Sequence, residues 1–82
     1  MKKQTYSAKM TFAEERHAEI MVNELFSALQ KLGIDAVINY SGKTAFLTVE
    51  HTKNIKDGIE TLTAFIHLAF FHPDTEIKFN WE

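Results

Sequence analysis

Eighty-two residues with 45% apolar and 24% charged content describe one folded domain, not a disordered chain. A net charge of −2 without a basic stripe argues against a stand-alone nucleic-acid binder, and the absence of cysteine removes disulfides and thiolate metal sites. No secretory leader and no membrane-spanning stretch is visible, since the longest apolar-rich run, 62–71, is too short and carries Thr63 and His67, so a cytoplasmic location is expected.

Periodicity divides the chain into six elements. Residues 4–10 alternate, with Tyr6, Ala8 and Met10 on one side and Thr5, Ser7 and Lys9 on the other, as in a half-buried strand. Thr11 and Glu14 have the spacing of a capping box and predict a helix over 12–32. Its apolar stripe is Ala18, Met21, Val22, Leu25, Phe26, Leu29 and Leu32, and Gly33 supplies the stop.

A hairpin is expected next, with strands 34–40 and 43–51 around a Ser41-Gly42 turn. That register pairs Ile38 with Ala45, Ala36 with Leu47 and Ile34 with Val49, all apolar, and a one-residue slip would destroy the agreement. The second helix is expected over 54–71, capped by Thr52 or Asn54 and halted before Pro73. Its core stripe reads Ile55, Ile59, Leu62, Ile66, Ala69 and Phe70. A last strand over 75–81 alternates Ile77, Phe79 and Trp81 with Glu76, Lys78 and Asn80.

The order β-α-β-β-α-β predicts an α+β, ferredoxin-like plait: a four-stranded antiparallel sheet with both helices on one face. A rival arrangement, in which the last strand leaves the sheet to pair with another chain, fits the same pattern.

Two surfaces stand out. The second helix carries Ala64, Leu68 and Phe71 opposite its core stripe, where a surface helix is normally polar. Together with Ile77, Phe79 and Trp81 of the tail strand, these are the candidate interface residues. The open face of the sheet is mostly polar, with Val37, Asn39, Thr44 and Phe46 as its candidate binding residues. The segment from Gly42 to Leu47 resembles the third-strand motif of the RNA-recognition-motif version of this plait, whose aromatics stack on bases. Only Phe46 fills an aromatic slot, and Tyr6 points to the core, which weighs against nucleic acid.

Catalytic versions of the topology are not matched. The loop Met10-Thr11-Phe12-Ala13 has neither the Cys-x-x-Cys pair of a metallochaperone nor the glycine cradle of an acylphosphatase or an amino-acid-binding regulatory module. Arg16 is the only arginine. His72-Pro73 resembles part of the His-His-Pro site of pterin carbinolamine dehydratases, but Phe71 stands where the preceding histidine is needed. His67 and His72 are not spaced for one helical face, and His17 and His51 stand apart, so no metal site, cofactor or catalytic residue is assigned. The reading is a non-enzymatic protein-interaction module, a small regulator or inhibitor acting as a homodimer or docked on a larger protein. The alternative is a small-ligand sensor, with its site at a dimer seam or on the open face.

Overall fold

The computed structural model describes residues 2–82. Six elements follow in chain order: β1 (Gln4–Phe12), α1 (Glu15–Lys31), β2 (Asp35–Ser41), β3 (Thr44–His51), α2 (Lys56–Phe70) and β4 (Ile77–Trp81). The strands form one antiparallel sheet in the order β2-β3-β1-β4, which is the ferredoxin-like plait. None of the helices described is long and apolar enough to cross a membrane.

Alternation in β1 places Tyr6, Ala8, Met10 and Phe12 in the core, facing Val49, Leu47 and Ala45 of β3. Met10, Met21, Leu25, Leu29, Leu47, Val49 and Ile59 are the largest side chains shut off from solvent, so the core lies where α1 and α2 cross the two central strands. Burying each such side chain is worth about 1.5–3 kcal/mol.

β1 is longer than its alternation alone suggests. Thr11 pairs with both Thr44 and Lys78, Phe12 pairs with Ile77, and the Phe12 N–H donates to the Lys43 carbonyl at 2.9 Å. With its backbone held in the sheet, Thr11 cannot cap a helix. The expected capping box is therefore absent, and Glu14 stands at the N-cap without a side-chain capping bond. The far end of α1 follows expectation: Gly33 adopts φ 72°, its N–H donates to Gln30 O, and Ile34 N–H donates to Leu29 O, closing the carbonyls as a Schellman motif does.

The hairpin turns on Gly42 and Lys43, not on Ser41 and Gly42. Ser41 pairs with Thr44, Tyr40 with Ala45, Ile38 with Leu47 and Ala36 with Val49. Gly42 takes φ 59° and no other residue of the turn has positive φ, so the glycine occupies the first turn position. Relative to the expected register β2 is shifted by two residues, which changes every partner but keeps every side chain on its face.

α2 begins at Lys56, whose N–H is accepted by the Asn54 side chain at 3.0 Å. It ends at Phe70, and Phe71 is already extended at φ −123°, ψ 155°. A turn over 72–75, closed by Thr75 N–H to His72 O at 2.9 Å, delays β4 to Ile77. β4 stays in its own sheet, paired with Ala8–Phe12 of β1.

Candidate interaction surface

From Thr61 to Phe71 the sequence has no Asp, Glu, Lys or Arg. α2, most of which this run supplies, buries Ile59, Thr63 and Ile66. Thr63 is admitted to the core because its hydroxyl donates to the Ile59 carbonyl one turn back, at 2.9 Å. With Thr63 inside, the buried stripe is turned away from Ala69, which lies exposed, and Phe70, the last residue of the helix, is exposed as well instead of in the core. Phe65, Leu68 and Phe70 are 64%, 76% and 53% exposed. Phe65 lies outside the set expected opposite the core stripe and adds to the exposed apolar face. The charge-free run was the signal that could have found it.

Phe71 departs from its expected place in the exposed patch. Because the chain leaves helical geometry there, its ring turns inward and is buried at 9% exposure. It stacks 6.4 Å from Phe12, meets the His17 ring edge-on at 5.4 Å and lies 5.9 Å from the His67 ring. His67 is fixed in turn by a 2.9 Å hydrogen bond between Nε2 and the Thr75 carbonyl. His17 is nearly enclosed, its Nε2 is 3.6 Å from Glu14, and its Nδ1 is buried without a hydrogen-bond partner.

Of the other interface candidates, Ala64, Ile77 and Phe79 come together. With Glu60, Thr63 and His67 they line an open depression of about 200 Å³ between α2 and β4. Leu68 projects from the outer side of α2. Trp81 lies apart, half-buried, 5.1 Å from Phe79 and 5.5 Å below the Lys56 ammonium, which also caps the Tyr6 ring at 5.8 Å. The apolar side chains of β4 thus pack on the core and leave only partial exposure for a partner.

The open face holds Val37, Asn39, Thr44 and Phe46 as expected, in altered partnerships. Asn39 is opposite Phe46, which is opposite Lys9, while Val37 is opposite Thr48. Val37 and Phe46, which the expected register would place opposite each other, are therefore diagonal neighbours. Ser7 and Thr48 share a hydrogen bond at 3.3 Å, and the facing carboxylates of Asp35 and Glu50 are relieved by Lys3, 3.2 Å from Asp35. At the turns, His51 Nδ1 accepts from Lys53 N–H and His72 Nδ1 from Asp74 N–H, each at 3.1 Å. Among the described residues, no three His, Asp or Glu side chains are grouped as a metal would need.

Two surfaces of the first helix also depart from its periodicity. Phe26 is 41% exposed because β2 is the last strand on its side and nothing lies beyond it, and Leu32 is 65% exposed past the end of α1.

No family model and no curated protein matches the chain in sequence. Its architecture is similar to that of the de novo designed protein Foldit4 (TM-score 0.69, 7% identity, covering 99% of this chain and 97% of that one). It is similar to the designed ferredoxin-fold protein LFR1 1 at TM-score 0.55 and 14% identity, over 100% of this chain and 86% of the design. Part of a hydantoinase/carbamoylase family amidase from Burkholderia ambifaria also superposes, with TM-score 0.58 and 12% identity, over 98% of this chain and 27% of the amidase. At these identities the likeness is one of fold, and an activity cannot be read from a shared fold.

Proposed function

We propose that this protein is a non-enzymatic interaction module, a small cytoplasmic regulator or inhibitor that docks on a larger protein through the outer face of α2. The observation that carries the reading is the exposure of Phe65 and Leu68, one turn apart on a helix run without a charged residue. An amphipathic surface helix is normally polar on its outer side, and clustered exposed aromatic and aliphatic side chains mark contact sites. Aromatic anchors set in an uncharged centre are also the side chains that contribute most at interfaces.

The test is a photo-cross-linking residue placed at Leu68 in cells making the protein. A discrete adduct with another polypeptide is expected, lost when Phe65 is changed to Glu, with no equivalent adduct from the same probe at Asn80 on the open face. A probe at Leu68 that yields no adduct, or the same smear as the probe at Asn80, would sink the reading.

A further inference from the structure

We propose that two copies of this chain pair through β2, running antiparallel about a two-fold axis at Ile38 and joining their sheets. β2 is one of the two edges of the sheet, and its outer row of backbone N–H and C=O groups has no strand beyond it. Natural edge strands are usually blunted by lysine, proline, a bulge or brevity. Here Asp35–Ser41 runs for seven residues with no lysine or proline, and Asp35 at its start is the only charge. The opposite edge is guarded: β4 has five residues, one of them Lys78, and Glu76 and Glu82 flank it.

Side chains at the β2 edge are also left uncovered. Ala45, Leu47 and Val49 of β3 are at most 1% exposed, whereas Ala36 and Ile38 opposite them are only half-buried and Tyr40 is 37% exposed. Phe26, 41% exposed, stands over the same edge and shares with Leu29, Ile34 and Ala36 a depression of about 170 Å³. The core is therefore incompletely covered along this side, under the strand whose hydrogen-bonding row is free.

A second copy fits this edge because the strand is complementary to itself. With Ile38 on the axis, Asp35 falls opposite the partner's Ser41, Ala36 opposite the partner's Tyr40, and Val37 opposite the partner's Asn39. Opposite residues in an antiparallel pair share a face, so Ala36, Ile38 and Tyr40 meet on the helix side beside Phe26. A small residue faces a large one, the two aspartates lie at opposite ends of the seam, and no like charges meet. α1 is the helix that packs on β2, so the pairing leaves the outer face of α2 free and stands apart from the docking reading.

Light scattering after size exclusion, over a dilution series, tests the pairing. The 9.5 kDa chain is expected to run as a dimer. Val37→Lys with Asn39→Lys sets lysines opposite lysines twice across the seam at exposed positions, and is expected to weaken self-association by about tenfold or more. Val37→Lys with Asn39→Asp, which sets opposite charges across the same seam, is expected to restore the dimer. Circular dichroism reports whether each variant folds. Independently of that, Ile38→Cys, the single thiol in the chain, is expected to oxidise to a disulfide-linked dimer, whereas Asn80→Cys is not. A wild-type monomer at all concentrations overturns the proposal, as does a dimer that persists with both lysines or that is lost only when Phe65 and Leu68 become Glu. Failure of the Ile38 thiol to cross-link overturns it as well.

Discussion

Phe70 and Phe71 are adjacent, yet one lies on the surface and the other in the core, because the helix ends between them. Phe71 closes the space between Phe12, His17 and His67, so Phe71→Ala opens a cavity at the junction of α2 with the sheet. A loss of about 3 kcal/mol is expected in urea unfolding, while Leu68→Ala, at 76% exposure, should cost no more than about 0.5 kcal/mol. Equal losses at the two positions would contradict the placement. A second residue-scale effect concerns Tyr40. Partial burial against α1 raises its pKa above the usual 10, and the negative charges of Glu19 and then Glu15 raise it further. The folded chain therefore holds the phenol proton longer than the unfolded chain does. The contribution of Tyr40 to stability is fully present below about pH 10 and is lost as the pH rises through the folded value. Tyr40→Phe should remove part of that fall, seen as a smaller drop in urea midpoint between about pH 8 and about pH 11. Identical drops in both proteins would refute it.

At the scale of elements, the strands and helices were legible because their apolar periods are regular, and their ends were less so. Alternation in β1 and β3 and the stripe of α1 identify the buried faces directly. Alternation has a period of two, so it fixes which face a residue of β2 occupies but cannot separate registers that differ by two residues. Ser41-Gly42 and Gly42-Lys43 both suit a two-residue turn, and the positive φ of Gly42 at the first position decides between them. The expected capping box failed for a different reason: Thr11 was already engaged by two neighbouring strands, a tertiary fact invisible in the local spacing. The candidate surface was half legible. Leu68 and Ala64 follow from the helical wheel, whereas the exposure of Phe65 and the burial of Phe71 do not, because Thr63 enters the core and the helix stops one residue early.

For the whole molecule, agreement with designed proteins at 7% and 14% identity shows how little of this architecture depends on particular side chains. The same sheet order has a consequence in time. Only β2 and β3 are joined to a sheet neighbour by a tight turn; β1 must find β3 across α1 and β2, and β4 reaches β1 from nearly the full length of the chain. Each of those pairings closes a large loop before any of its contacts form, which slows folding. The hairpin is expected in the rate-limiting ensemble, with β4 docking late. In stopped-flow measurements Leu47→Ala should slow refolding, whereas Phe79→Ala should chiefly speed unfolding. Until β4 arrives, the outer edge of β1 between Ala8 and Phe12 stays unpaired. For that interval the central strand of the finished sheet is itself an edge, so aggregation during refolding should follow the docking rate of β4 more closely than the stability of the final fold.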